Sequence, residues 1–251
     1  MDTDTSFEAD WHPAVNFEPR RGGLRPSILL MHYTGMASAE RAIGWLCSAE
    51  SRVSCHYLVS ETGRIVQMVR EEMRAWHAGE SFWAGETDIN SASIGIEVHN
   101  PGHGSFYPPY PEPQMQAVEA LSLDILARHS IRPERVLAHS DVAPNRKTDP
   151  GEKFDWGRLA GAGIGHWVEP TRIEGDAGLA LGDEGAEIAR LQRRLGEYGY
   201  DIAESGRFCE HTEIVVTAFQ RHFRPALVNS RADHSTIDTL DRLIRGLDCW
   251  K

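Results

Sequence analysis

The sequence predicts an α/β fold, a central mixed β-sheet flanked by helices, followed by a small C-terminal three-helix bundle. Three observations carry this. Apolar runs of strand length alternate with segments of helical period through the first two-thirds of the chain, a glycine-rich break follows, and three helical stripes fill the remainder. The expected division is a first domain over residues 1–160 with its core in 17–160, a linker over 161–182, and a helical domain over 183–251.

Ile28 to His32 is a short apolar run and reads as a buried strand. Ser38 to Ser48 has helical spacing at Ala39, Ile43 and Leu46. Cys55 to Val59 and Ile65 to Val69 flank the turn-like Glu61-Thr62-Gly63-Arg64 and read as a β-hairpin. Ser93 to His99 alternates, with Ile94, Ile96 and Val98 on one face and Gly95, Glu97 and His99 on the other. Residues 101–113 hold five prolines and two glycines, so this stretch is loop. Pro113 suits the first turn of a helix running to about His129, with Val118, Leu121, Ile125 and Leu126 as its stripe. Arg135 to Ala138 reads as another strand, entering the loop Ser140 to Gly151.

Beyond the break, Ile188, Leu191 and Leu195 mark one helix, which ends before Gly199. Val215, Val216, Phe219 and Phe223 mark a second, stopped by Pro225. Ser235 and Asp238 resemble an acidic capping box opening a third, with Ile237, Leu240 and Ile244 inward.

The net charge of −11 argues against a duplex nucleic-acid binder, which needs a basic face for phosphates. Cys47, Cys55, Cys209 and Cys249 form no C-x-x-C pair and read as reduced thiols, three of them packed as small hydrophobes. No apolar run reaches the length of a membrane span. Residues 1–5 show no basic region and no apolar run, which reads as a cytoplasmic protein; the periplasm is the alternative if a leader has been trimmed. Oligomeric state is not legible.

The chemistry concentrates after strands. Residues 136–151 pack His139, Lys147 and Asp149 into an irregular segment behind a strand, and His32 closes another strand. A catalytic zinc site takes three ligands from His and carboxylate plus one open position, and His32, His139 and Asp149 would supply them for one ion per chain. Glu97, on the polar face of an apolar strand, is the candidate to take a proton from water and return it to a leaving amine. Lys147 is placed to stabilise an oxyanion. Each residue alone has a plainer reading: a structural histidine, a solvated carboxylate, a surface ion pair. The residues by themselves reach no further than a metal hydrolase.

Five segments sharpen this. Met31 to Met36, Val53 to Val59, Ala75 to Gly79, Asn90 to Asn100 (NSASIGIEVHN) and Ala138 to Gly151 (AHSDVAPNRKTDPG) resemble the AmpD/AmiD type of N-acetylmuramoyl-L-alanine amidases, in order, across Phe17 to Ala160. The resemblance implies zinc ligands at His32, His139 and Asp149, a catalytic glutamate at Glu97 and a transition-state lysine at Lys147. It further implies a substrate-cleft wall at Trp76, His77 and Ala78, with Asn90 beside it. The implied reaction is hydrolysis of the amide between the N-acetylmuramic or anhydro-muramic lactyl group and L-alanine, in peptidoglycan or muropeptides. Residues 13–17 depart from the family's usual entry, and Cys55 stands where a small residue is common and reads as packing. The C-terminal segment resembles the type 1 peptidoglycan-binding domain through Gly182 to Gly185, Leu191-Gln192, Leu195, Tyr198 to Tyr200, Gly206, Phe208, Thr212 and Phe219-Gln220.

Two other readings compete. One is a non-catalytic muropeptide-recognition protein on the same fold. The other is a zinc peptidase in which His99, sharing the strand face of Glu97, replaces His32 or His139 as a ligand.

Overall fold

In the computed structural model, residues 2–104 and 106–247 are described. The apolar runs form strands β1 (Asp10–Trp11), β2 (Phe17–Pro19), β3 (Ile28–Tyr33), β4 (Tyr57–Val59), β5 (Ile65–Gln67), β6 (Met73–Ala75), β7 (Ser93–Val98) and β8 (Val136–Ala138). The helices are α1 (Ala39–Leu46), α2 (Ile89–Ala92), α3 (Glu112–Arg128), α4 (His139–Val142), α5 (Trp156–Gly161), α6 (Ala186–Tyr198), α7 (Glu210–Phe223) and α8 (His234–Leu247). Six strands make one sheet in the order β1-β5-β4-β7-β3-β8, while β2 and β6 pair separately. The β4–β5 hairpin is antiparallel and the pairings of β4–β7, β7–β3 and β3–β8 are parallel, so the sheet is mixed as expected.

Alternation decides what covers each face. Leu29, Met31, Ile94, Ile96 and Val98 point to one side and pack against Val118, Leu121 and Ile125 of α3. Leu58 and Val66 point the other way and meet the stripe Ala39, Ala42, Ile43 and Leu46 of α1. Ser38 caps that helix by accepting the Arg41 N–H.

Ile28, Leu30 and Leu137, on this second face, are covered by the C-terminal domain. They belong to one continuous apolar cluster with Leu191, Leu195, Phe219, Phe223 and Leu243. The helical domain is thus a layer of the whole molecule, not a bundle closed on itself. Gly199 ends α6 with φ +142°, and a Cβ there would stand 2.6 Å from the Trp83 ring, so only glycine lets the helix end seat on that indole.

Smaller expectations shift. The cap of α8 is Asp233, whose carboxylate accepts the Thr236 N–H at 2.8 Å, while the Ser235 hydroxyl donates to the Thr171 carbonyl. Of the cysteines, Cys55 is buried but Cys47 and Cys209 stay partly exposed, so fewer are packed than expected; Cys249 lies outside the described residues. No described helix is long and apolar enough to cross a membrane.

Candidate active site

Register assembles the site. In the parallel pair β3–β7, His32 stands opposite Glu97, so both side chains leave the same face near the carboxyl ends of their strands. Ala138 of β8 pairs with Met31, and the next residue, His139, opens α4 beside His32. The loop bearing Asp149 is tied back by the Ser140 N–H, which donates to the Asp149 carbonyl at 3.0 Å. Residues 107 positions apart in the chain thereby become neighbours.

His32 Nδ1 and His139 Nδ1 lie 2.8 Å apart. Asp149 Oδ2 is 3.2 Å from the first and 2.9 Å from the second. All three residues are buried. A tetrahedral zinc ion with bonds of about 2.0–2.1 Å holds its ligand atoms about 3.4 Å apart, a few tenths of an ångström wider than this triangle. The donor set fits such an ion.

The second ring nitrogens decide which tautomers are present. His139 Nε2 is 3.1 Å from the Ala78 carbonyl, which can only accept, so Nε2 carries the hydrogen and Nδ1 offers its lone pair. His32 is set by a longer chain. The Ser93 hydroxyl donates to the Ile89 carbonyl at 2.5 Å, so its oxygen accepts from His77 Nε2 at 3.3 Å. His77 Nδ1 is then the acceptor for His32 Nε2–H at 3.0 Å, leaving His32 Nδ1 free for a metal. Gly95 makes room for this, since a Cβ there would stand 2.6 Å from His77 Nδ1. Burial, and then the neighbouring His139, push His32 down to about 4, so it is neutral near pH 7. Burial alone would raise Asp149, but the imidazoles of His139 and His32 beside it hold it below the usual carboxylate range.

Glu97 is half-buried, and its Oε2 is buried without a hydrogen-bond partner. Burial first, then the nearby Asp149 charge, raise its pKa well above the ordinary carboxylate value, with Lys147 opposing. Glu97, Lys147 and the three ligand candidates line one cleft of about 310 Å³.

The implied substrate wall divides. His77 borders this cleft, whereas Trp76, Ala78 and Asn90 are not among its lining residues. Asn90 Oδ1 accepts the backbone N–H groups of His77 and Ala78 at 2.9 and 2.8 Å. Asn90, Ala78 and His77 therefore brace His32 and His139 from behind. His99 stands apart from the triangle, its Nδ1 3.0 Å from the Thr34 hydroxyl. Cys55 lies near His32 and His77, but burial and the charge of Glu97 raise its pKa and keep it a thiol.

One cleft residue escaped the sequence reading. Trp45 lines the cleft and is 47% exposed. The available signal was its position on α1 off the buried stripe Ala39, Ala42, Ile43 and Leu46.

The family model of N-acetylmuramoyl-L-alanine amidases matches residues 22–152, and a peptidoglycan binding domain model matches residues 184–240. The chain is 38% identical over 224 residues to N-acetylmuramoyl-L-alanine amidase AmiD of Escherichia coli (strain K12), covering 84% of this chain and 80% of that protein. It is 32% identical over 169 residues to 1,6-anhydro-N-acetylmuramyl-L-alanine amidase AmpD of Salmonella typhimurium (strain SL1344), covering 61% of this chain and 88% of the relative. Among solved structures, AmiD from E. coli in complex with the substrate anhydro-N-acetylmuramic acid-L-Ala-D-gamma-Glu-L-Lys matches with a TM-score of 0.77 at 36% identity. That match covers 91% of this chain and 92% of AmiD.

Proposed function

The chain belongs to the N-acetylmuramoyl-L-alanine amidase family, and we propose that it cuts the amide between the muramic or anhydro-muramic lactyl group and L-alanine with one zinc ion held by His32, His139 and Asp149. The observation that carries the reading is the convergence of two imidazole lone pairs and one carboxylate oxygen beside the unpartnered oxygen of Glu97. Zinc bound there would polarise a carbonyl and bring the pKa of a water near neutrality.

The chain's own groups supply the rest. Glu97 takes the proton of the attacking water and returns it to the nitrogen of L-alanine, which leaves as an amine. Its raised proton affinity suits a group that must hold that proton between the two steps. Lys147, which lines the same cleft, would stabilise the negative charge that gathers on the carbonyl oxygen. Ala78 and His77 keep the two histidines in the tautomer that offers Nδ1 inward. A non-catalytic recognition protein would need neither the full donor set nor a glutamate with a buried, unpaired oxygen.

Mass spectrometry of a defined muropeptide incubated with the protein, with and without a zinc chelator, tests the reading. The expected result is chelator-sensitive release of an intact peptide beginning at L-alanine together with the free muramyl sugar. Cleavage between amino acids would make the chain a peptidase, and no cleavage by folded, zinc-replete protein would favour the recognition reading.

A further inference from the structure

The turn that presents His139 is fastened from the other domain. Asp141, two residues beyond His139, is 1% exposed and accepts three hydrogen bonds. Its Oδ2 takes the Ala138 backbone N–H at 2.8 Å and His222 Nδ1–H at 2.6 Å. Its Oδ1 takes the Tyr200 hydroxyl at 2.7 Å. The first of these bonds closes the start of α4, where alanine stands at the N-cap and offers no oxygen of its own. The other two donors come from the C-terminal domain, Tyr200 just after α6 and His222 within α7.

Both donors are themselves immobilised. The His222 ring stacks on Trp156 with centroids 3.8 Å apart and on Phe223 at 3.7 Å. Trp156 opens α5, on the far side of the loop bearing Asp149, so this one histidine touches the segments before and after the metal loop. Tyr200 packs edge-on against Trp83 at 4.9 Å. Backbone bonds complete the frame: the Phe82 N–H donates to the Val142 carbonyl and the Ala84 N–H to the Gly199 carbonyl, each at 2.8 Å.

We propose that the C-terminal domain is a component of the metal site, with Tyr200 and His222 as positioning residues that hold Asp141 and so fix the turn aiming His139 Nδ1 at the metal. The inference rests on His139 being a ligand. It accounts for a buried carboxylate whose partners lie 59 and 81 residues away, when a serine or threonine at position 138 could have capped α4 locally. It also gives the shared core a task beyond solubility, since the bundle must stay docked for the ligand to stay aimed.

The test uses the full chain with the substitutions Tyr200→Phe, His222→Phe and His222→Asn. Phenylalanine at 222 keeps a ring against Trp156 and removes the donor; asparagine keeps a donor and loses the ring. Zinc affinity is read by competition with a chromophoric chelator, and ligand geometry by the visible spectrum of the cobalt-substituted protein. Loss of an outer hydrogen bond to a ligand network costs about 10–100-fold in metal affinity. That loss is expected for Tyr200→Phe combined with His222→Phe, with an altered cobalt spectrum, while His222→Asn stays near wild type even if its melting temperature falls further. Tyr200→Phe alone, which removes one of the two donors, is expected to lose about 3–10-fold and carries the test if the double variant does not fold.

Unchanged zinc affinity and cobalt spectrum in folded Tyr200→Phe would overturn the proposal. So would affinity losses in the two His222 variants that follow thermal stability and not the presence of the donor. A wild-type chain that binds no zinc at all would instead overturn the ligand assignment beneath it.

Discussion

Two buried polar clusters flank this sheet, and they are completed differently. Around Glu71 every group has a partner. One carboxylate oxygen accepts from the Tyr57 hydroxyl at 2.7 Å and from Arg128 at 2.6 Å, and the other accepts from His129 at 2.7 Å. Around His32 the groups face one another without closing. Two nitrogens and an oxygen share one point, and the nearby Glu97 Oε2 has no hydrogen bond at all. A buried polar group normally finds a partner because desolvating it unpaired costs about 1–3 kcal/mol. The closed cluster stabilises the fold, and on the proposed function the open one would take its missing partners from outside, a metal and a substrate.

That contrast is broken most severely at the triangle. His32→Ala, His139→Ala and Asp149→Ala should each abolish stoichiometric zinc and reduce turnover to background, while His99→Ala keeps both. Zinc per chain by atomic emission, measured beside turnover, separates them. Loss of zinc only in His99→Ala would transfer the site to His99, just past the carboxyl end of β7. Lys147→Ala should leave zinc bound and lower kcat by about 10²-fold, the scale of losing one oxyanion donor. A rise in KM with kcat unchanged would make Lys147 a substrate anchor instead.

The closed cluster predicts stability and not activity. Burial raises the Glu71 pKa, but hydrogen bonds from His129, Arg128 and Tyr57 more than offset it and hold the group at about 2, against an ordinary 4.5. A depressed carboxylate stabilises the folded chain fully above the unfolded value and loses that contribution as pH falls from about 4.5 through about 2. The shift corresponds to at most roughly 3 kcal/mol. Urea unfolding of Glu71→Gln at pH 7 should show a loss of this order that shrinks towards pH 2, with turnover per folded molecule unchanged. A deficit independent of pH would mean that shape, not charge, sets the role of Glu71.

How far the sequence foretold each region follows from the range of the interactions. Strand alternation at Ser93 to Val98 and the helical stripes of α1, α3, α6 and α7 are local patterns, and the structure carries them. The candidate metal residues could be picked out because each sits at a strand end or in the segment behind one, and the parallel register of β3 and β7 brings them together. The roles of Asn90 and Ala78 were not legible, because the Asn90 side chain is met by backbone N–H groups and Ala78 acts through its carbonyl, and neither backbone partner leaves a residue signature. Nor was the shared core: Ile28 and Leu30 read as one strand face and Leu191 and Phe219 as a separate bundle, and nothing in either period says that they meet. The short strands β1, β2 and β6 are held by pairing across long separations and have too few residues to show alternation.

The central claim is that a zinc held by His32, His139 and Asp149 works with Glu97 as its proton carrier. Turnover and bound zinc measured on the same sample of Glu97→Gln test it most directly. One zinc per chain and a loss of about 10²–10⁴-fold in kcat are expected, because the amide keeps the shape of the side chain and cannot accept the proton. Near wild-type turnover with zinc bound would contradict it.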